Sequence, residues 1–469
     1  MDDTMKDVHF VGIGGVRLSA LAEMLVRGGS TVSGSDRASS VFTERLETIG
    51  VSIRIGHDAD HIGKADTVVF TPAVEPDNPE LVAARDRGIR IVEGKKLLGE
   101  MTHGKRLVAV SGTHGKTTTT AMISSICETA GLDPTAFVGG AVQGPESNLR
   151  VGDSDVWVVE ADEYDRAFLE LSPTVAVVTS LESDHLDLYD SESNLVETFD
   201  AFLSGLTEDG SAVISSDYPA SRSLTVPAGR ARVDVGFGEE AVLTAEEMVS
   251  EGLKTSFTVV EGGETVGDAS LQVPGRHNVA NALSAIGAAR RMDIDWSHIA
   301  RGLERFRGVR RRFEIVGSGN DITVVNDYAH HPTEIDVTIE AGRAITDGRI
   351  VAVFQPHLYS RTRDFLGEFQ TALSRADVCW LTGIYPARET PIPGITGRSI
   401  ADGIDGCHYE EELNALAGSV MNTLEPGDLV LVMGAGSIER TAVDIAKSLS
   451  GGAGEQESGG TTPTAPTVS

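Results

Sequence analysis

The sequence predicts an α/β protein of three domains, each built around a mostly parallel sheet. Three observations carry that expectation. Short apolar runs alternate with helix-period segments along the chain, glycine turns follow two of those runs directly, and 52 glycines and 40% hydrophobic residues are spread over 469 positions. A chain of this length exceeds one hydrophobic core, since domains hold about 100–200 residues. The expected segments are 1–105, 106–313 and 314–449. A tail, 450–469, is rich in Gly, Thr and Pro and poor in apolar residues, and is expected to be disordered.

Composition narrows the function classes. A formal charge of −31 repels a phosphate backbone, so no nucleic-acid partner is expected. The apolar runs fall short of the roughly 20 residues that cross a bilayer, so no membrane insertion is expected either. The start, Met1 to Lys6, lacks the features of a secretory signal. Cys127, Cys379 and Cys407 have no metal-type spacing and read as reduced thiols, which points to the cytoplasm. Acidic residues distributed along the whole chain suggest a surface suited to high salt.

In the first segment, Val8-His9-Phe10-Val11 reads as a strand, Gly12-Ile13-Gly14-Gly15-Val16-Arg17 as a turn, and Leu18, Leu21, Ala22, Leu25 and Val26 as the apolar face of a helix. A second strand, Thr31-Val32-Ser33, ends in Gly34-Ser35-Asp36. That places a carboxylate about 20 residues beyond the turn, where a ribose hydroxyl sits in a dinucleotide fold. The turn alone fits a nucleoside diphosphate site, a dehydrogenase cofactor turn or tight strand–helix packing. Arg17 stands where a third glycine is expected, and either crowds the helix start or supplies a cation to a pyrophosphate.

The second segment opens with the strand Leu107-Val108-Ala109-Val110, followed at once by Ser111-Gly112-Thr113-His114-Gly115-Lys116-Thr117-Thr118. Glycines let successive N–H groups point into one concavity, and the helix N-terminus adds positive potential. Lys116 can reach terminal phosphates, and the Thr117 hydroxyl can ligate magnesium. Only two residues separate Gly112 from Gly115, fewer than in the common phosphate-loop spacing. Further strands end in Glu160-Ala161-Asp162-Glu163 and lead to Asp184-His185. Of these, Glu160 is the best placed to hold a hard cation beside the loop. Downstream, Gly275-Arg276-His277-Asn278 opens a small-residue helix, and Arg310-Arg311-Arg312 forms either a solvated basic face or a phosphate contact.

The third segment alternates again. Ile322-Thr323-Val324-Val325 runs into Asn326-Asp327-Tyr328-Ala329-His330-His331-Pro332, and Ile350-Val351-Ala352-Val353-Phe354 into Gln355-Pro356-His357 and Arg361 and Arg363. Paired histidines and arginines beyond adjacent strands suit an anionic substrate that bears an amine.

Together the Gly12–Gly15 turn, the Gly112–Thr119 loop, Glu160–Glu163, Asp184-His185, Gly275–Asn278, Arg311–Glu314, Asp327–Glu334 and Phe354–His357 resemble the Mur ligases, over nearly the whole span from Val8 to about Ser448. The resemblance implies a Rossmann-like N-terminal domain that binds a UDP substrate, a central P-loop-type ATPase domain, and a Rossmann-like C-terminal domain that binds an amino acid. It implies the reaction as well. The lactyl carboxylate of UDP-N-acetylmuramate attacks the γ-phosphate of ATP, and L-alanine then displaces phosphate from the acyl phosphate. Neutralising cations suit such a meeting of anions, and two Mg2+ ions are expected.

By the same resemblance, Gly112, Thr113, His114, Gly115, Lys116, Thr117 and Thr118 hold ATP with His277, Asn278, Arg312 and Asp327. Thr117, Glu160 and His185 hold metal. Gly14, Gly15, Arg17, Asp36 and His57 meet the UDP substrate. Tyr328, His331, His357, Arg361 and Arg363 lie on the amino-acid side, which Asp327 borders. Lys116, His331 and Arg363 are the expected catalytic residues. His331 is the candidate base for the amine, with the leaving oxygen or water as alternatives. The family's turn has glycine where Arg17 stands, which leaves the diphosphate geometry open.

Overall fold

The computed structural model describes residues 5–140, 148–182, 191–387 and 389–451. It is a three-domain α/β protein with three sheets. The N-terminal sheet holds β1 (Asp7–Val11), β2 (Thr31–Asp36), β3 (Ser52–Ile55), β4 (Thr67–Phe70) and β5 (Arg90–Glu93) in the order β3-β2-β1-β4-β5. Its pairings are all parallel. The order reverses at β1, so the crevice beyond that strand's carboxyl end is the natural place for a ligand.

The central sheet has ten strands. They are β6 (Arg106–Ser111), β7 (Thr135–Phe137), β8 (Leu149–Arg150), β9 (Val156–Glu160), β10 (Val175–Val178), β11 (Ser211–Ser215), β12 (Ala231–Val235), β13 (Leu243–Glu251), β14 (Lys254–Glu261) and β15 (Glu264–Leu271). Their order is β15-β14-β13-β12-β11-β10-β6-β9-β7-β8. Here β6 pairs in parallel with both β9 and β10. The register sets Val110 opposite Glu160 and Ser111 opposite Val178, so the chain segments that leave these strands emerge at one edge.

The third sheet comprises β16 (Glu314–Gly319), β17 (Ile322–Asp327), β18 (Ile350–Phe354), β19 (Val378–Thr382), β20 (His408–Glu410) and β21 (Leu429–Met433), ordered β16-β17-β21-β18-β19-β20. Asp327 and Phe354 both lie opposite Met433.

Buried parallel strands need apolar side chains on both faces, and the sequence supplies them. One continuous core runs from Phe10, Leu21 and Leu25 of the N-terminal sheet to Leu107, Phe168, Phe199 and Phe202 of the central one. Phe354, Phe369 and Leu431 fill one face of the third sheet, and Val351, Val353 and Ile445 the other. The chain accordingly divides into two compact units. The first takes the residues up to Val249 with Ser256–Gln272 and His277–Arg307; the second takes Gly308 onward with Ser250–Thr255 and Val273–Arg276.

The last helix, Glu439–Gly451, overruns the expected tail boundary because Ile445, Ala446 and Leu449 continue its buried stripe to the end. Ser450 and Gly451 thus belong to it, and residues 452–469 lie outside the described ones. Among the described residues no helix is long and apolar enough to cross a membrane.

Candidate active site

At the end of β6 the chain enters a turn that needs glycine twice. Gly112 has φ +135° and Gly115 φ +81°. A Cβ would fall 2.3 Å from Thr179 Oγ1 at the first and 2.3 Å from Asn281 Oδ1 at the second. The loop is stitched to the segment after β10, with Thr113 N donating to Ser180 O (3.0 Å) and His114 N to Ser180 Oγ (2.8 Å). The helix Lys116–Thr129 then starts without a side-chain cap. No side-chain oxygen competes for its first N–H groups, which suits an anion.

Lys116 is held by three acceptors. Its Nζ donates to Gly112 O (2.6 Å), Thr113 O (3.1 Å) and Glu163 Oε1 (2.9 Å). Burial pulls the ammonium's pKa down, but Glu163, Asp162 and Glu160 more than offset it, so it stands above the ordinary lysine value. Burial also pushes the Glu163 carboxyl up to about 7, against the opposing charge of Lys116. Glu160 is raised for the same reason. Its two oxygens accept from Thr117 Oγ1 (3.1 Å) and Gly139 N (2.6 Å).

Two oxygen donors, Thr117 and Glu160, thus meet beside the loop. They suit a hard cation that fills the rest of its shell with phosphate and water, as Mg2+ prefers. Among the described residues no group of three or more His, Cys, Asp or Glu could hold a metal. The expected ligand His185 lies outside the described residues. Asn278 is buried on the helix Arg276–Arg291 and accepts from Asn281 Nδ2 (3.3 Å), the residue that walls Gly115. His277 is half-buried one position earlier, and Thr118 is buried in the first turn of the loop's own helix.

The N-terminal turn is built differently. Gly12 N and Ile13 N donate to Ser35 O (2.8 and 3.0 Å), and Gly14 N donates to Asp36 Oδ2 (2.8 Å). A Cβ on Gly14 would lie 2.9 Å from that oxygen. Asp36 therefore braces the turn as well as ending β2. His57 Nδ1 lies 3.0 Å from Glu80 Oε2 and 3.2 Å from Ser35 Oγ. Glu80 is fully buried and also receives Ser35 Oγ (2.6 Å) and His61 Nδ1 (3.0 Å). Burial alone would raise its pKa; the bonds from His9, Ser35 and His57 prevail and bring it to about 2. In front of the turn lies a cavity of 180 Å³ whose lining includes Gly12, Gly15, Arg17, Glu93 and Lys95. Arg17 Nη2 donates to Asp162 Oδ2 at 3.0 Å.

The second unit gathers the expected amino-acid side. Asp327 accepts from Phe313 N (2.6 Å) and Ala329 N (2.7 Å), and burial lifts its pKa to about 6 against the pull of Arg312. Arg311 and Arg312 lie over the Tyr328 ring at 4.7 and 5.2 Å. Tyr328, His330, His357 and Tyr385 form a chain of ring contacts at 5.2, 5.8 and 5.7 Å. His331 caps the helix Pro332–Arg343, its Nδ1 accepting from Thr333 N at 3.4 Å, and the ring edges onto Phe365 at 4.8 Å. Arg361 is buried, whereas Arg363 is half-exposed and donates to Asp364 (2.7 and 3.1 Å). Backbone conformations rare for side-chain-bearing residues cluster here, at Arg311 (φ +58°), Phe313 (φ +48°) and Leu358 (φ +70°).

Sequence reasoning missed Glu163, Asn281, Glu80 and Glu334 as site residues. Two left signals: Asn281 sits one helical turn after Asn278, and Glu334 three residues after His331, the spacing of a capping box. Glu163 stood in the Glu160–Glu163 segment without any sign of its pairing with Lys116, 47 residues away, and Glu80 left no signal.

Three family models match the chain: "Mur ligase family, catalytic domain" over residues 7–106, "Mur ligase middle domain" over 110–289, and "Mur ligase, glutamate ligase domain" over 311–436. A UDP-N-acetylmuramate--L-alanine ligase of Salinibacter ruber is 44% identical over 445 residues, 93% of this chain and 94% of its own. One from Syntrophotalea carbinolica is 42% identical over 450 residues, 95% of this chain and 98% of its own. The crystal structure of the UDP-N-acetylmuramate-alanine ligase of Thermotoga maritima superposes with a TM-score of 0.82 at 30% identity, covering 96% of this chain and all of that one.

Proposed function

Because the chain belongs to the Mur ligase family, we propose that it joins L-alanine to the lactyl carboxylate of UDP-N-acetylmuramate at the cost of ATP, a step of cell-wall precursor synthesis. The carrying observation is the meeting of Lys116, Thr117 and Glu160 at one sheet edge in a chain similar to alanine-adding ligases over nearly its full length.

The lactyl carboxylate attacks the γ-phosphorus and ADP leaves, giving an acyl phosphate. The alanine amine then attacks the acyl carbon, and the tetrahedral intermediate collapses with loss of phosphate. The N–H groups of the Gly112–Thr117 loop and the Lys116 ammonium take the triphosphate, where they stabilise charge as it builds on the transferred group. Thr117 and Glu160 would hold Mg2+, with His185 as the further proposed ligand, and the ion would supply charge neutralisation between two anions. Asn278 and His277 are the proposed nucleotide contacts on the neighbouring helix. Gly14, Gly15, Asp36 and His57 form the UDP-substrate side.

Tyr328, His357, Arg361 and Arg363 form the amino-acid side, with the exposed Arg363 guanidinium as carboxylate clamp. His331 caps the helix Pro332–Arg343, its Nδ1 accepting from Thr333 N at 3.4 Å, and is the proposed base for the amine, with the leaving phosphate oxygen or water as the alternative acceptor of that proton.

The test is phosphate release from ATP and Mg2+ with UDP-N-acetylmuramate and, in turn, L-alanine, glycine, D-glutamate or a tripeptide, with the product identified by mass spectrometry. Turnover with L-alanine above the others is expected. Turnover with the tripeptide alone would make this a peptide-recycling ligase, and no turnover with any of them would remove the assignment.

A further inference from the structure

Arg17 faces two ways. It lines the 180 Å³ cavity in front of the glycine turn together with Lys95, while its guanidinium donates to Asp162 Oδ2 at 3.0 Å. The ion pair joins residues 145 positions apart, linking the first helix to the segment between Glu160 and Glu163. Both side chains are about one-third exposed, at 34% and 40%. An ion pair in that setting gains little net energy, so a stronger anion can take its cation over. A diphosphate is such an anion: it carries more charge than a carboxylate and offers oxygens to both arms of a guanidinium.

We propose that Arg17 is a positioning residue shared between Asp162 and the diphosphate of the UDP substrate, the two competing for one guanidinium. The proposal rests on the reading of the N-terminal turn as the UDP-substrate site. Its consequence is that the affinity for the UDP substrate is held below what the cavity would offer with Asp162 neutral. Each diphosphate bound also withdraws a cation from the segment that carries Glu160 and Glu163. That segment feels the charge, since Asp162 helps to raise the pKa values of Lys116, Glu160 and Glu163.

Calorimetric titration of the full chain with UDP and, separately, uridine tests this without turnover. Arg17→Ala is expected to weaken UDP binding about tenfold and Arg17→Lys less, since a point charge replaces a fork. Asp162→Asn is expected to tighten UDP binding by about two- to fivefold, the inverse of what an exposed pair contributes. Uridine, which lacks phosphates, should bind all variants alike, and Arg17→Ala/Asp162→Asn should behave as Arg17→Ala alone.

The gain in Asp162→Asn is the signature, because loss of a merely structural contact would not improve binding. Unchanged or weaker UDP binding in Asp162→Asn, with the wild-type chain binding UDP normally, overturns the competition and leaves the site reading intact. Failure of the wild-type chain to bind UDP overturns both. Unaltered thermal melting of the variants confirms that each is folded when titrated.

Discussion

Two glycine turns in the first compact unit follow central strands of parallel sheets, yet the carboxylates behind them are pushed in opposite directions. Behind the Gly112–Gly115 loop, burial raises Glu160, and raises Glu163 to about 7. Behind the Gly12–Gly15 turn, Glu80, shielded from solvent like Glu163, is lowered to about 2. The difference is in the partners. Glu80 collects hydroxyl and imidazole donors, including Ser35 and His57, and its charge is satisfied by the fold. Glu160, Asp162 and Glu163 gather negative charge around Lys116, and burial outweighs the lysine's pull on both glutamates. A carboxylate that burial raises beside a phosphate loop marks a candidate place for a cation, while one whose donors lower it is held in its charged form by the fold.

The largest effect expected from this contrast is at Lys116. Lys116→Ala should lower kcat by about 10²–10³, the loss typical of removing one preorganised donor from a developing charge. Calorimetry should show UDP affinity changed far less than kcat, because the lysine's acceptors Gly112, Thr113 and Glu163 all lie outside the N-terminal turn. A comparable loss of UDP binding would collapse the distinction between the two turns.

A paired substitution sharpens the comparison. Gly115→Ala forces a side chain into a left-handed conformation and onto Asn281, and should lower kcat/KM by roughly a hundredfold through displacement of the loop. Gly15→Ala meets nothing nearer than Gly12 O at 3.6 Å and has φ −72°, so the fold tolerates it and any loss of rate, arising only against the bound UDP substrate, should be smaller than at Gly115. Equal losses at both would mean that the N-terminal turn needs Gly15 for close approach of the ligand.

How much of this was legible follows the same division. The phosphate loop was readable to the residue because its chemistry is local: glycines, Lys116 and Thr117 are neighbours in sequence, and the strand ending at Glu160 was recognisable by its apolar run. The three sheets were readable because Val- and Ile-rich strands end in turn residues throughout. Glu163 and Glu80 were not, since what makes them matter is a partner 47 or 23 residues away. His331-Pro332-Thr333-Glu334 carries the spacing of a helix cap, so the capping role of His331 was legible beside its proposed part in proton transfer. The left-handed backbone at Arg311, Phe313 and Leu358 could not be anticipated, because none of them is a residue that favours it.

The smallest expected effect tests the structural half of the contrast. A carboxylate held at about 2 in the folded chain, against an ordinary value of 4.5, adds stability that is complete above pH 4.5 and is lost as pH falls toward 2. Glu80→Gln keeps the shape and cannot ionise, so it should flatten that part of the stability–pH curve. It should also lower the melting temperature at pH 7 by several degrees, since a buried acceptor of His and Ser donors is replaced by a weaker one. Above pH 4.5 the difference between the two chains should stay constant as far as this group decides it, and it should narrow as pH falls from 4.5 toward 2. Phosphate-loop chemistry should be untouched, so ATP affinity measured on the folded variant should match the wild-type chain. A Glu80→Gln variant as stable as wild type at pH 7 would show that the imidazoles around it need no charge, and would remove the reason for separating the two carboxylate environments.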